Sequence, residues 1–176
     1  MTTKESYFKD LMGHALQVLY MVFLGIIIAV FCGLGIDTFY PTPTAPEYPA
    51  VLQAEQYKTT EVTQTAEELA AQQEYDAAYA QFQKDLEPYN RNASIIAIIL
   101  SVLALALSLT ILVKWEVIAN GVLLGGIFTM GYSIILGMQA GDSKFRFFLV
   151  TAGVAITFAL GYLKFIKPNN KAVSEA

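Results

Sequence analysis

Cysteine and histidine are almost absent from this sequence of 176 residues, which has one of each, Cys32 and His14. A single cysteine excludes a disulfide within the chain, and one Cys with one His cannot supply the four ligands of a structural zinc site. We therefore expect no metal and no cofactor. Large loops on an oxidising membrane face usually carry disulfides in animal proteins, so their absence favours a bacterial or archaeal envelope.

Charged residues are also few, at 15% of the chain, and they avoid four long apolar runs. Hydrophobic residues make up 55% of the sequence. A bilayer core requires roughly 20 apolar residues per helix, and a backbone in lipid must be helical. The sequence therefore predicts an all-α membrane protein with four transmembrane helices. These helices are predicted at residues 15–36, 93–113, 117–138 and 147–166.

The first apolar run, 15–36, has an alternative interpretation as a cleaved signal peptide. Its length of about 22 residues exceeds the roughly 7 to 15 of a signal-peptide core. Gly33-Leu34-Gly35 matches an A-x-A cleavage site only loosely, and Phe31 precedes Cys32 where a lipoprotein site requires a small residue. We therefore favour an uncleaved span.

A long polar loop, residues 37–92, separates the first two spans. It opens with four closely spaced prolines, which favour an extended polyproline conformation that we interpret as a spacer rather than a proline-motif ligand. These prolines are Pro41, Pro43, Pro46 and Pro49. The sequence predicts a helical extracytoplasmic loop domain that begins with this strap.

A second part of the loop is predicted to be helical. Thr65 and Glu68 form a T-x-x-E capping box, and good helix formers follow them, so we expect a helix at about 66–86. Pro88 should kink or break the chain just before the second span. Asn90 or Asn92 is then the expected cap of the next helix.

An aromatic stripe follows one face of this loop helix, at alternating spacings of four and three residues. An isolated surface helix does not need such a stripe, so we expect something to cover it. The alternatives are the helix's own loop around 51–57, a second copy in a coiled coil, or another protein. The stripe, which we predict to be an interaction surface, consists of Tyr75, Tyr79, Phe82, Leu86 and Tyr89.

The loop is strongly acidic, with ten acidic residues against three basic ones, a net charge of −7. Such a surface repels nucleic acid and anionic lipid and attracts cationic partners. No calcium-binding loop pattern is present, so a solvated acidic face is the preferred interpretation. We expect membrane lipid and a protein partner or homo-oligomer, and no nucleic acid.

Small residues recur along the third and fourth spans. Spacing of four residues places two glycines on one helix face, where the backbones of two helices can approach closely. We interpret these glycines as internal bundle contacts in preference to a homodimer interface. The predicted packing residues are Gly121, Gly125, Gly126 and Gly153. In the following connection, Arg146 should extend toward the membrane surface or pair with Asp142.

The distribution of positive charge predicts the topology. With four spans, the N-terminal segment 1–14 and the tail 167–176 share one side with the turn at 114–116. That side holds six lysines, whereas the short loop on the opposite side holds only Lys144 and Arg146. We expect a plasma (inner) membrane protein with both termini in the cytoplasm and the acidic loop outside.

The spans lack the groups that intramembrane chemistry requires. Proton and ion relays use charged side chains or histidine at depth, and His14 lies at a membrane edge. No nucleotide-binding or nucleophile-elbow motif is present, so we predict no catalytic residues and no enzyme. The layout resembles claudins, whose long first loop carries a cysteine pair that this chain lacks; the resemblance implies no shared function. We expect a membrane scaffold, accessory subunit or assembly protein, or alternatively an oligomeric pore or channel subunit.

Overall fold

The computed structural model describes the backbone of residues 3–53 and 65–166, and the side chains of 11–53 and 65–164. Within these ranges the chain is helical and contains no β-strand. Four helices in the described part are long and apolar enough to cross a membrane, which confirms an all-α, multi-pass membrane protein. The helices are α1 (Thr3–Phe39), α2 (Ala50–Gln53), α3 (Ala66–Thr110), α4 (Glu116–Met138) and α5 (Ser143–Gly161).

The first helix, α1, joins the polar N-terminal segment to the first predicted span in one element of 37 residues. Its apolar part runs from Leu11 to Phe39. The side chains of the first ten residues, the loop residues 54–64 and the predicted tail at 167–176 lie outside the described residues. The proposed contact between the stripe and residues 54–57 falls in this undescribed part.

The longest helix, α3, has 45 residues and contains Pro88 in its interior. The prediction at Pro88 was a kink or a break, and a break is wrong. Proline lacks the N–H that would bond to the carbonyl of residue i−4, here Lys84, and its ring crowds that carbonyl. The next two residues, Tyr89 and Asn90, are buried. Their packing against the other helices favours a helical backbone across the proline, as tertiary contacts commonly do against local preference.

The start of α3 follows the prediction. The Thr65 hydroxyl accepts a hydrogen bond from the Glu68 N–H at 3.3 Å, and the Glu68 carboxylate accepts one from the Thr65 N–H at 2.6 Å. This reciprocal pair confirms the capping box. The predicted caps Asn90 and Asn92 instead lie inside the continuous helix.

The helices α3 and α4 form an antiparallel hairpin joined by a 3₁₀ turn, Leu112–Lys114. Three hydrogen bonds between them have serine hydroxyls as donors and backbone carbonyls as acceptors. As α3 advances by seven residues, the partner on α4 recedes by seven, which is the register of an antiparallel heptad pair. The bonds run from Ser101 to Gly126 (2.7 Å), from Ser108 to Ala119 (2.6 Å) and from Ser133 to Ser94 (2.7 Å).

A close helix crossing joins α1 to α4 on the other side of α4. A methyl group added at Gly125 would lie 2.8 Å from Ile28 Cβ and 3.3 Å from the carbonyl oxygen of Gly25. One added at Gly121 would lie 2.7 Å from a methyl carbon of Leu24. Only glycine permits this backbone approach. As a result, α4 lies between α1 and α3 and forms the centre of the bundle.

The other two predicted packing glycines also lie at helix contacts. Gly126 faces Leu105 of α3, where an added methyl group would lie 2.7 Å from a leucine methyl carbon. A methyl group added at Gly153 of α5 would lie 3.2 Å from a methyl carbon of Ile134 in α4. Each of these contacts joins two helices of the same chain. This geometry fits the preference for internal packing.

The last helix, α5, lies at the edge of the bundle and contacts mainly α4. Asp142 caps it, because its carboxylate accepts from the Lys144 N–H at 2.9 Å. The Arg146 guanidinium donates to the Ala140 carbonyl at 2.6 Å, so this bond takes the place of the predicted pairing with Asp142. At the opposite end, a π-helical turn at Tyr162–Ile166 continues α5.

Candidate functional site

The first part of α3, residues 66–87, extends past the end of α4, and we refer to it as the arm. The heptad register with α4 places Met138, the last residue of α4, opposite Tyr89. The 22 residues before Pro88 therefore lie past the end of α4. At 1.5 Å per residue the arm is roughly 33 Å long, about as long as a span.

The strap, residues 40–49, lies along the arm. The Tyr48 ring contacts the Tyr75 ring edge to face, with the centroids 5.1 Å apart. The short helix α2 follows, and its Leu52 is buried at 3% exposure. The strap therefore covers the part of the stripe around Tyr75.

The middle of the stripe is left more open. The Tyr79 ring stacks on Tyr75 at 5.9 Å and contacts Phe82 at 6.0 Å between centroids. Phe82 is half-buried, whereas Tyr79 is 43% exposed. Tyrosine combines a large apolar ring with a hydrogen-bonding hydroxyl, a combination that is enriched where proteins bind each other. Tyr79 is therefore the most accessible aromatic residue of the stripe.

The last two residues of the stripe belong to the bundle instead. Tyr89 is 7% exposed and forms a core cluster with Ile36, Ala93 and Ala97, and Leu86 packs against that cluster. These two side chains tie α3 to α1. The predicted stripe thus has two parts. Leu86 and Tyr89 pack into the bundle, whereas Tyr75, Tyr79 and Phe82 lie farther out on the arm.

A polar and aromatic clasp holds the strap at the base of the arm. The Tyr40 and Tyr89 rings are stacked, with centroids 5.2 Å apart and planes 3° from parallel. The Thr42 hydroxyl lies 3.0 Å from the Tyr89 hydroxyl and 3.1 Å from the Asp37 carboxylate. The Asn92 amide donates to the Tyr40 hydroxyl at 3.0 Å. Residues 52 positions apart in sequence are therefore joined where the strap leaves α1.

Acidic residues of the arm have structural contacts of their own. The Asp76 carboxylate accepts from Gln72 and the Asp85 carboxylate accepts from Gln81, each at 3.1 Å and four residues apart. Such pairs each contribute about 0.2–0.5 kcal/mol to an exposed helix. Glu67 lies in the first turn of α3, where negative charge is favourable. The acidic surface thus supports the helix that carries it.

The described residues do not form a metal site. Within residues 11–53 and 65–164, no three His, Cys, Asp or Glu side chains are grouped closely enough to hold a metal ion. His14 lies on the exposed part of α1. We assign no metal-ligand role to any described residue.

No known protein family, curated protein or solved structure matches this chain. The function is therefore inferred from the geometry of the arm, the strap and the bundle.

Sequence reasoning missed the clasp. Tyr40, Thr42 and Asn92 are ordinary residues in a Pro-rich strap and at the start of a predicted span, and no motif connects them. The signal available was modest: Asp37 and Tyr40 follow the first apolar run directly, and tyrosine and polar residues favour that boundary. Their pairing across 52 residues depends on how α1 and α3 meet.

Proposed function

We propose that this protein is a non-enzymatic membrane scaffold, accessory subunit or assembly protein that presents its arm to a protein partner. The observation that carries the proposal is the arm itself: roughly 33 Å of helix past the end of α4, with Tyr79 exposed in its middle. Tyr79 contacts Tyr75 and Phe82 of its own helix, yet much of its ring remains accessible to a partner. In a binding surface, tyrosine commonly contributes a large share of the affinity.

The charge of the loop supports a cationic partner. The net charge of −7 over residues 37–92 would increase the association rate of a basic surface and disfavour acidic ones. An aromatic centre with a charged surround matches the usual anatomy of a protein interface. The expected partner therefore presents an apolar recess bordered by Lys or Arg.

The interior of the bundle supports a non-enzymatic role. Apart from the Asn90 amide, its buried polar side chains are serine and threonine hydroxyls, such as those of Ser101 and Thr129, that bond to backbone carbonyls. Among the described side chains, every fully enclosed nitrogen or oxygen has a hydrogen-bond partner. Groups bonded in this way stabilise helix contacts rather than react.

We further propose that the protein resides in a prokaryotic plasma (inner) membrane with both termini in the cytoplasm. The lysines near the termini and at the α3–α4 turn support this orientation. It places the arm and the strap outside. Cysteine labelling of Thr44→Cys in a Cys32→Ser background, with an impermeant reagent on intact cells, tests the assignment; protection of that residue until the cells are lysed would contradict it.

Site-specific photo-cross-linking tests the arm. A benzoylphenylalanine at position 79 should form a covalent adduct with a protein partner in cells, identified by mass spectrometry. The matched control has the same residue at position 77, about 160° around the helix and also exposed as Ala77. An adduct from position 79 and none from position 77 is the expected result. Equal adducts, or none from either, would contradict the proposal.

A charge substitution gives an independent measurement. Tyr79→Asp should abolish the adduct-forming association or self-association, whereas Ala77→Asp should preserve it. Both variants should insert and resist proteolysis as the parent does. Light scattering of the purified protein, with detergent mass subtracted, distinguishes a foreign partner from a second copy. A discrete homo-oligomer that conducts ions in planar bilayers would instead support a pore subunit.

A further inference from the structure

A cleft lies between α1, α3 and α4 directly below the clasp. Its volume is about 600 Å³, within the range of roughly 300–1,000 Å³ that ligand pockets occupy. Val30 and Leu34 of α1 and Leu136 of α4 form an apolar wall. Both α1 residues belong to a predicted span and are exposed at their outer edges, so this wall opens toward the space that lipid chains fill.

The opposite wall carries an unbonded polar group. Asn90 lines the cleft and is only 5% exposed, yet its side-chain amide makes no hydrogen bond with any described residue. No side-chain nitrogen or oxygen in the described part is both fully enclosed and unbonded. The Asn90 amide therefore keeps a face open to the cleft. Burying an amide without a hydrogen-bond partner is unfavourable, so a ligand that supplies one is favoured.

The charge at the mouth of the cleft is negative. Asp37 is the one charged residue among those that line it. Its carboxylate accepts one hydrogen bond, from Thr42, and a carboxylate has room for about three more. The surrounding loop is also acidic. A ligand group placed here is favoured if it is cationic and donates several hydrogen bonds.

We propose that this cleft binds a single membrane amphiphile with an alkyl chain and a primary ammonium headgroup. The chain lies against Val30, Leu34 and Leu136. The ammonium group, with its three donors, bonds to the carbonyl oxygen of the Asn90 amide and to the Asp37 carboxylate. Thr42 and Tyr89 of the clasp also line the cleft. This site is separate from the exposed face of the arm and does not depend on the proposed function.

The choice of ammonium follows from the two polar groups together. An anionic headgroup would face the Asp37 carboxylate without a cation among the lining residues. A hydroxyl can donate to the Asp37 carboxylate and accept from the Asn90 amide, but it brings no positive charge to that carboxylate. An ammonium group donates to the Asp37 carboxylate and to the Asn90 amide oxygen, and hydrogen bonds to charged groups are roughly twice as strong as those between neutral groups.

Photolabelling of the full-length protein in phosphatidylcholine nanodiscs tests the proposal. The probe is hexadecylamine with a diazirine in its chain, and the reference probe is hexadecanoic acid with the same diazirine. Loss of one charge-assisted bond corresponds to about tenfold in affinity. The amine should label peptides containing residues 29–37 and 132–139 at a concentration about tenfold lower than the acid, and its labelling should saturate.

Two variants and one matched control assign the headgroup contacts. Asn90→Leu keeps the side-chain volume and should weaken amine labelling about tenfold. Asp37→Asn should do the same, and because Asp37 is exposed this variant keeps the test decisive if Asn90→Leu fails to fold. Gln73→Leu on the exposed arm is the control and should label as the parent does.

The source of the amine is tested by competition. Butylamine has a much shorter alkyl chain to bury than hexadecylamine, so an equal concentration of butylamine should leave the labelling unchanged. Competition by butylamine would mean that the cleft binds a soluble amine and would overturn the lipid assignment. Equal labelling by amine and acid, stronger labelling by the acid, or labelling spread evenly over the lipid-facing helices would also overturn the proposal.

Discussion

The ring of Tyr40 lies parallel to the ring of Tyr89, with centroids 5.2 Å apart. One tyrosine ends the first span and the other lies in the middle of the longest helix. Their hydroxyls bond to Asn92 and Thr42 respectively. This pair fixes the strap to the base of the arm, and Tyr89 also lines the cleft.

The clasp should determine how often the strap opens. Tyr40→Ala removes an aromatic pair worth about 0.5–1.5 kcal/mol and a hydrogen bond of similar value. Hydrogen exchange of the strap amides should therefore accelerate about tenfold or more. Phe39→Ala is the control, because Phe39 is the neighbouring aromatic residue and is 89% exposed. Equal exchange in the two variants would show that the clasp does not hold the strap.

The crossing of α1 and α4 should tolerate no added methyl group at its centre. In Gly125→Ala the new carbon would lie 2.8 Å from Ile28, and overpacking of this kind typically costs about 1–3 kcal/mol. Gly131→Ala adds a methyl group where no atom lies within 4 Å, and it should stabilise the helix by about 0.5–1 kcal/mol. Unfolding in mixed micelles of increasing SDS content measures both. We expect Gly125→Ala to lower the stability and Gly131→Ala to raise it. A stabilising Gly125→Ala would contradict the close approach of α1 and α4 at this position.

Pro88 should destabilise α3 locally, even though the helix is continuous across it. Pro88→Ala restores the N–H that can bond to the Lys84 carbonyl, and a proline inside a helix costs about 3 kcal/mol. Pro88 is exposed, so the substitution loses little packing. We expect slower hydrogen exchange in the arm and a higher melting temperature. Pro43→Ala in the strap should leave both unchanged. A decrease in arm protection in Pro88→Ala would mean that the proline itself shapes the junction.

The sequence by itself determined that this chain forms four helices long and apolar enough to cross a membrane. Apolar runs near 20 residues leave the backbone no other way to satisfy its hydrogen bonds in lipid. The start of α3 was equally readable, because the Thr65–Glu68 capping box involves residues only three apart. The glycines at 121 and 125 also indicated a close helix contact, because spacing of four places them on one face.

Only the tertiary structure decided what these elements contact. Pro88 predicted a kink or a break, yet α3 is uninterrupted there, and Tyr89 and Asn90 are buried within it. The partners of Ser101 and Tyr40 lie 25 and 49 residues away, and no local pattern specifies such distances. The Asn90 amide stays open to the cleft because α1, α3 and α4 do not pack closely around it. Span formation depends on each segment's own transfer into lipid, whereas the clasp and the cleft depend on the relative placement of helices, which is set by packing.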